Sequence, residues 1–364
     1  MKESPKSENL YLDFLRYCLN GGSLYANIDS INWTMFLRWA EQQAIVGVIY
    51  EGIQKAGKDL NIDFDILMEW IGLANQIEIQ NHHVNKRCLD LANDFGSKCI
   101  DFCILKGQGN ALMYHNPFSR TSGDIDVLVF EKRKTIVSLI KHRYSSVHEN
   151  YIHIDYPVFD NVQVEIHFWP SYMNNPLYNY RLHKWYKHQR KNFIEYKKLP
   201  NGEGIIPVPS NEFNIVYQLM HLMHHFFDEG IGLRQFVDYY FVLRQIEDPL
   251  QLLLYKGRSL KETLRYLGLW KFAGAVMYVM REVFALEEQY MIAPVDEKRG
   301  KTLLNEILKG GNFGKYSGLT QHSTGGKYFL KHWRNLHFVR EYPSEALCEP
   351  IFRTWHFFWR LGHR

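Results

Sequence analysis

Two aspartates at the start of a buried strand constrain this chain more than any other feature of its sequence. Asp124 and Asp126 are separated by one residue and lead into the apolar run 127–130, which is typical of a strand inside a sheet. Because residues two apart on a strand point to the same face, the two carboxylates should lie side by side. Adjacent carboxylates need a cation, and their hard oxygen ligands suit Mg²⁺ or Mn²⁺, which usually complete their coordination shells with substrate phosphates.

A third carboxylate, Glu165, occurs in another predicted strand at 163–168. The preceding run, 151–159, also has strand character, and Asp160 with Asn161 favours a hairpin turn between the two runs. If this hairpin folds back beside the first strand, Glu165 faces the same way as the two aspartates. Three carboxylates on paired strands are the arrangement that two-metal phosphoryl or nucleotidyl transfer requires.

An isolated Asp-x-Asp is more often a turn or a solvated strand end, so the surroundings of the pair decide its interpretation. Gly123 immediately precedes it and permits a close approach of the backbone. Earlier in the chain, the strand signal at 102–105 is followed by the glycine-containing segment 106–109, which should open a helix. Glycines there let main-chain N–H groups approach a phosphate. These features favour a metal and phosphate site over a surface turn.

The sequence predicts an α+β fold in three parts. Apolar residues recur at helical spacing from 10 to 94, strand signals dominate the middle, and helical spacing returns after Ser210, an N-cap candidate. The predicted parts are an N-terminal helical region at 1–97, a small mixed-sheet core at 98–208 and a C-terminal helical domain at 209–364.

Within these parts, a helix is predicted at 132–143, between the second and third strand signals. The segment 230–232 breaks the helical pattern of the C-terminal part, and helical spacing then continues over 252–284. The glycine-rich stretch 310–314 is predicted to be a loop.

Four stretches, in order, resemble the bacterial uncharacterised nucleotidyltransferase group within the DNA polymerase beta-like nucleotidyltransferase superfamily. They are Leu105-Lys106-Gly107, Arg120-Thr121-Ser122-Gly123-Asp124-Ile125-Asp126-Val127-Leu128-Val129, Val164-Glu165-Ile166-His167 and Gly230-Ile231-Gly232-Leu233-Arg234-Gln235-Phe236-Val237-Asp238. The resemblance covers roughly 102–242 and implies that the mixed-sheet core is a nucleotidyltransferase fold.

The resemblance also implies a role for particular residues. Asp124, Asp126 and Glu165 would be the catalytic residues and the metal ligands. The residues implied to bind the nucleotide are Lys106, Gly107, Gln108, Arg120 and Gly123. Three more are expected in or near the cleft: His167, Arg234 and Asp238. From their spacing alone, Arg234 and Asp238 would form an ordinary ion pair along a helix.

The function implied is a metal-dependent transfer of a nucleoside monophosphate. Mg²⁺ or Mn²⁺ would be the cofactor, and a nucleoside triphosphate, with ATP expected, would be the donor. The acceptor is a hydroxyl group that the sequence does not identify, and a small molecule or a protein is favoured over nucleic acid. Two alternatives remain. In the first alternative, the chain is a catalytically silent binding or scaffold protein with this fold. In the second, it is an antitoxin-like enzyme that transfers AMP onto a protein.

Composition limits the setting in which such a protein works. The five cysteines form no CxxC pair, so neither a disulfide framework nor a cysteine zinc site is predicted, and a reducing cytoplasm fits best. The N-terminus lacks the apolar run of a signal peptide, and the apolar stretch 272–280 is too short to span a membrane. The net charge of +4 is too small to indicate nucleic acid binding by itself.

Three further surfaces have two interpretations each. The aromatic and basic segment 352–360 either packs on the helical domain, which is the simpler account, or docks on a partner protein or a membrane surface. The basic stretch 181–198 is interpreted as a solvated surface rather than a site for an anionic co-substrate. His221, His224 and His225 share one helix face and are interpreted as packed or hydrogen-bonded groups rather than metal ligands.

Overall fold

The structure, a computed structural model, describes residues 5–24, 27–228, 230–312 and 337–362. Its helices are α1 (Pro5–Asn20), α2 (Trp33–Gln43), α3 (Val46–Ala56), α4 (Phe64–Ser97), α5 (Gly107–Ala111), α6 (Arg133–Arg143), α7 (Pro176–Gln189), α8 (Asn211–Phe227), α9 (Leu233–Leu243), α10 (Leu260–Tyr266), α11 (Trp270–Phe284), α12 (Glu297–Gly310) and α13 (Pro343–Leu361). Its strands are β1 (Phe102–Leu105), β2 (Ile125–Val129), β3 (His153–Asp155), β4 (Val164–His167), β5 (Ile194–Lys198), β6 (Ile205–Pro209), β7 (Leu253–Tyr255) and β8 (Arg258–Ser259).

The predicted α+β fold is confirmed. A four-stranded mixed sheet has the order β1-β2-β4-β3, in which β2 and β4 are parallel and the two outer pairs are antiparallel. Helix α6 is part of the connection between the parallel strands. The register places Asp126 directly opposite Glu165. The sheet itself therefore brings the second aspartate and the glutamate together.

The two faces of β2 pack against different partners. Ile125, Val127 and Val129 belong to a hydrophobic cluster with residues of α4 and α6, whereas Leu128 belongs to a second cluster formed mostly by the helices. Because side chains alternate along a strand, Asp126 lies on the same face as Leu128. The carboxylate is therefore on the helical side of the sheet, near the start of β2.

The helices from both ends of the chain share one hydrophobic core. Phe14 of α1 and Phe284 of α11 are fully buried in the same cluster. Asn20, the last residue of α1, donates a hydrogen bond to the carbonyl oxygen of Phe284 at 2.9 Å and accepts one from the hydroxyl of Tyr240 at 2.7 Å. The predicted boundaries at 97 and 208 divide the chain by sequence order alone. In the folded protein, the N-terminal and C-terminal helices pack together in one core.

Local sequence explains where several elements start. The side chain of Ser210 accepts a hydrogen bond from the backbone N–H of Phe213 and caps α8, as its position predicts. Asn32 caps α2 in the same way through Met35. The break at 230–232 also lies where it was predicted, between α8 and α9.

Two predictions of secondary structure need correction, and one hairpin was not predicted. The prediction of helix over 252–284 is wrong at its start, because β7 and β8 form a hairpin there. The turn residues Lys256 and Gly257 have φ of 51° and 75°, which is the backbone conformation that tight hairpins favour. The strand predicted at 151–159 is limited to β3, because Pro157 has no N–H to pair. The hairpin of β5 and β6 was not predicted, and its first strand lies inside the basic stretch 181–198.

Helix α13 lies against the loop that precedes β3 and the loop that follows β4. The ring of Tyr172 stacks on Phe352 with centroids 4.5 Å apart, and Tyr151 meets the edge of Trp355 at 5.0 Å. One face of the predicted aromatic and basic segment is therefore packed on the protein. Its rings contact loops of the mixed-sheet core, and Arg353 contacts Asp228 of the helical domain, on which the simpler interpretation expected it to pack. Phe358 on the other face is 64% exposed, and docking of a partner there stays a prediction.

Part of one predicted feature, the loop at 310–314, lies outside the described residues. Helix α12 ends at Gly310, and residues 313–314 of the predicted loop at 310–314 are among those the structure does not describe. Within the described part of the chain, no helix is both long enough and apolar enough to span a membrane.

Candidate active site

Three carboxylates converge at the amino-terminal ends of β2 and β4. Oxygen atoms of Asp124, Asp126 and Glu165 all lie within 4.8 Å of one another. Asp126 is buried, Glu165 is half-buried, and Asp124 is exposed at the mouth of the site. This set offers hard oxygen donors around one point and fits a Mg²⁺- or Mn²⁺-type cation.

The electrostatics of the aspartate pair show the need for positive charge. The neighbouring charge of Asp126 raises the pKa of Asp124 above its ordinary value. Burial alone would raise the pKa of Asp126, but Lys106 and His167 outweigh burial and hold it well below the usual range. Asp126 is therefore ionised, and it repels a second charge on Asp124.

Each oxygen of Asp126 has a partner among the neighbouring side chains. The Nζ of Lys106 lies 2.9 Å from Oδ2, and the Nε2 of His167 donates a hydrogen bond to Oδ1 at 2.8 Å. Although burial would lower the pKa of His167, hydrogen bonds to Asp126 and Glu165 raise it to about 9. Two cationic groups thus balance the buried carboxylate.

Glu165 has histidines on two sides. The Nε2 of His167 lies 3.4 Å from Oε2 of Glu165, and the Nδ1 of His153 lies 3.1 Å from the same oxygen. Burial, aided by the charge of His167, lowers the pKa of His153 to about 4. His153 is therefore neutral near pH 7, while His167 carries the proton.

Lys106 reaches the carboxylates from an unusual backbone conformation. It follows β1 directly and has φ of 52°, and Gly107, which begins α5, has φ of 41°. Side-chain-bearing residues rarely adopt such angles, and conformations of this kind concentrate at functional sites. The turn aims the Lys106 ammonium at Asp126, which β2 presents opposite Leu105.

The carboxylates open into a cleft of about 1220 Å³. Its walls include Gly107 and Arg234 on one side, Asn150 and Tyr172 on another, and Arg353 of α13. Ligand sites commonly have volumes of roughly 300–1,000 Å³. The cleft is therefore large enough to hold a nucleotide together with part of a second substrate.

Comparison with known proteins identifies the family. A model of the uncharacterised nucleotidyltransferase family matches residues 29–285. The chain belongs to this family. Its match includes all three carboxylates but ends before α13, so one wall of the cleft is built by residues outside the matched part of the chain.

Among solved structures, this family member is similar to an antigenic nucleotidyltransferase-like protein from Paracoccidioides brasiliensis. The two share 12% identity, the alignment covers 59% of this chain and 94% of that one, and the TM-score is 0.36. No curated protein matches the chain.

Of the five residues that the family resemblance implied for nucleotide binding, four line the cleft and one has a side chain that does not. Lys106, Gly107, Arg120 and Gly123 line the cleft. The side chain of Gln108 does not, because it is buried between β1 and α4, where its amide contacts Asn85. The polar side chain next to Gly107 therefore fastens α5 to α4, and a contact between the Gln108 backbone and the nucleotide stays a prediction.

Arg120 lines the cleft but is already engaged. Its guanidinium donates to both oxygens of Asp238, at 2.7 and 2.8 Å, and both side chains are almost fully buried. Asp238 also accepts a hydrogen bond from the Tyr114 hydroxyl at 2.6 Å. Asp238 thus pairs with Arg120 rather than with Arg234 along the helix, and the pair fastens the segment before Asp124 to α9.

Arg234 and His167, the other two residues expected in or near the cleft, both line it. The Nη1 of Arg234 donates to the carbonyl oxygen of Thr121 at 3.1 Å, and it would lie 3.7 Å from a Cβ placed on Gly123. The charge of Arg234 also acts to lower the pKa of Asp124. The Arg234 cation thus lies near the exposed carboxylate, in addition to Lys106.

The histidines of α8 lie in the cleft wall but do not form a metal cluster among the described residues. The Nε2 atoms of His221 and His225 lie 3.0 Å apart, so one of them donates to the other. His224 lies 3.8 Å from Asp228. This agrees with their interpretation as hydrogen-bonded groups.

Several residues that line the cleft were not predicted from the sequence to lie there. Asn150, His153 and Tyr172 come from the loops and strand around β4, and Arg353 and His356 come from α13. A lone histidine or asparagine in a short strand or loop carries no spacing signal. Only the packing of α13 across the sheet, which depends on contacts far apart in sequence, brings the last two residues to the cleft.

Proposed function

We propose that this chain is a metal-dependent nucleotidyltransferase that transfers a nucleoside monophosphate from a nucleoside triphosphate, with ATP as the expected donor. The acceptor would be a hydroxyl group of a small molecule or a protein. The observation that carries the proposal is the convergence of Asp124, Asp126 and Glu165 on neighbouring parallel strands, at the floor of a large cleft.

The roles follow from what each side chain offers. Asp124, Asp126 and Glu165 would hold the divalent ions. When bound there, such ions would acidify the acceptor hydroxyl and neutralise charge on the departing pyrophosphate. Lys106 and Arg234 line the cleft near the carboxylates and would balance the negative charge of the triphosphate. The depressed pKa of Asp126 keeps it ionised and able to bind metal at neutral pH.

One observation favours the second candidate, a silent binding protein with this fold. Both oxygens of Asp126 are occupied by Lys106 and His167. If these contacts persist when divalent cations are supplied, the carboxylate does not become a metal ligand, and the ion pair serves stability alone. The two candidates therefore differ in whether Mg²⁺ or Mn²⁺ binds.

The experiment that separates them measures thermal stability and pyrophosphate release with ATP, GTP, CTP and UTP, each with and without Mg²⁺ or Mn²⁺. Asp124→Asn is the test variant, because Asp124 is exposed and its loss relieves repulsion rather than breaking a buried contact. Glu131→Gln is the matched control, an exposed acid beyond the other end of β2.

We expect wild type and Glu131→Gln to release pyrophosphate and to be stabilised only when nucleotide and metal are both present. Asp124→Asn should lose turnover by a large factor while its melting temperature without ligand stays within a few degrees of wild type. Nucleotide binding without any metal requirement or turnover would favour the silent protein.

A further inference from the structure

The loop before β3 holds an asparagine in a fixed orientation beside the site. The Oδ1 of Asn150 accepts hydrogen bonds from the backbone N–H groups of Ile152 and His153, at 2.8 and 2.9 Å. Two backbone donors settle which end of the amide is the oxygen. The amide nitrogen Nδ2 must therefore point the other way, and it lies 2.9 Å from Nε2 of His153.

This contact fixes the tautomer of His153. An amide nitrogen can only donate, so Nε2 of His153 accepts the hydrogen bond. In a neutral imidazole the proton is then on Nδ1. That nitrogen lies 3.1 Å from Oε2 of Glu165, so an N–H faces the carboxylate within hydrogen-bond reach.

We propose that Asn150 and His153 are positioning residues that orient Glu165 as the third metal-binding carboxylate. The inference rests on the proposed function, because it assigns a purpose to two residues around that metal site. Asn150 is held by the backbone, it holds the His153 ring, and the ring restrains one oxygen of Glu165. The other oxygen, Oε1, is left to bind the ion.

A direct role for His153 as a ligand fits the contacts less well. His153, Glu165 and His167 do offer three ligand atoms within 4.8 Å of one another. A ligating imidazole nitrogen must be unprotonated, whereas Asn150 keeps the proton of His153 on the nitrogen that faces the site. For Nδ1 to bind metal, the proton would have to move to Nε2, which would then face the amide N–H of Asn150 at 2.9 Å.

The expected size of the effect comes from similar outer partners of metal ligands, whose loss lowers metal affinity by about 10- to 100-fold. Glu165 is half-buried at the edge between the sheet and the cleft. Without the His153 N–H, its side chain regains rotational freedom that metal binding must then restrict.

The test is Mn²⁺ binding by the full-length protein, followed by the electron paramagnetic resonance signal of free Mn²⁺. His153→Phe keeps a ring beside His167 but removes the N–H, and His153→Asn restores a donor near the position of Nδ1. His148→Phe is the matched control, because His148 is another histidine near β3 that does not contact Glu165 and its side chain is 56% exposed.

We expect His153→Phe to weaken Mn²⁺ binding by about 10- to 100-fold, His153→Asn to recover part of the loss, and His148→Phe to bind like wild type. Asn150→Ala should weaken binding less than His153→Phe. Circular dichroism and thermal denaturation of each variant identify any that fail to fold. If His153→Phe fails to fold, Mn²⁺ binding by His153→Asn still tests the proposal.

Two results overturn the positioning role while the proposed function stands. One is unchanged Mn²⁺ affinity in a folded His153→Phe. The other is a directly bonded nitrogen in the pulsed resonance spectrum of wild type that disappears in this variant, which would make His153 a ligand. If wild type binds no Mn²⁺ while Asp124→Asn behaves identically, the metal site itself fails and the proposed function fails with it.

Discussion

The buried ion pair between Arg120 and Asp238 should be one of the most sensitive points of the fold. Both side chains are about 5–6% exposed, and two hydrogen bonds join them at 2.7 and 2.8 Å. Asp238→Asn preserves shape and leaves an acceptor for Tyr114, but it leaves the Arg120 charge buried without a counter-charge. Breaking a buried pair in this way typically costs about 3–5 kcal/mol, which is a large part of the roughly 5–15 kcal/mol that stabilises a domain.

The measurement is the free energy of unfolding from urea denaturation, in a double-mutant cycle. Arg120→Met combined with Asp238→Asn removes the buried charge altogether, so we expect it to recover most of the stability that the single variant loses. Glu287→Gln serves as the control, because it breaks an ion pair with Arg244 of similar length, 2.8 Å, in which both side chains are at least a third exposed. That change should cost less than about 1 kcal/mol.

The reasoning is refuted if Asp238→Asn loses no more stability than Glu287→Gln, or if the double variant is the least stable of the set. The first result would mean that water or another group compensates the Arg120 charge. The second would mean that the two side chains contribute independently, through packing. In either case, the pair would not be what fastens the segment before Asp124 to α9.

Two other predictions concern charges around the cleft. Burial raises the pKa of Glu345 to about 7, so the folded protein binds the proton of this carboxyl more tightly than the unfolded chain does. The contribution of Glu345 to the free energy of unfolding is therefore greatest below about pH 4.5, and it falls by about 3 kcal/mol as the pH rises to 7. Glu345→Gln should remove this loss, which urea denaturation at pH 5 and pH 8 would detect, and an unchanged difference between the two pH values would contradict it. Lys106→Met leaves Asp126 without its ammonium, so the variant should be less stable than wild type without metal and should gain more thermal stability from Mn²⁺. An equal gain in both proteins would show that Lys106 does not compete with the ion.

The sheet and its carboxylates could be predicted because their signals are local. Residues 102–105 were predicted as a strand and form β1, and the second strand was predicted within one residue of β2. Because Asp124 and Asp126 alternate with buried residues, the sequence predicts directly which face of the strand each side chain occupies. The prediction that Glu165 lies beside Asp126 required the assumption that their two strands are neighbours. The parallel pairing of β2 and β4 shows that they are.

Residues whose partners are distant in sequence could not be assigned in this way. Gln108 looks like a phosphate-loop residue from its neighbours, yet its side chain is buried against Asn81 and Asn85 of α4. Arg234 and Asp238 have the spacing of a helical ion pair, yet Asp238 binds Arg120, 118 residues earlier in the chain. In both cases tertiary packing decides which partner a buried polar side chain meets, and spacing along the sequence does not show that partner.

The placement of α13 links the helical core to the chemistry of the site. Glu345, near its start, accepts a hydrogen bond from the backbone N–H of Asn174 at 2.8 Å, and Arg353 contacts Asp228 at the end of α8. These contacts join α13 to the loop after β4 and to a helix of the core, so the helix forms one wall of the cleft. The family match ends at residue 285 and includes the three carboxylates, so the cleft combines a sheet that belongs to the matched part of the chain with a wall that lies outside it.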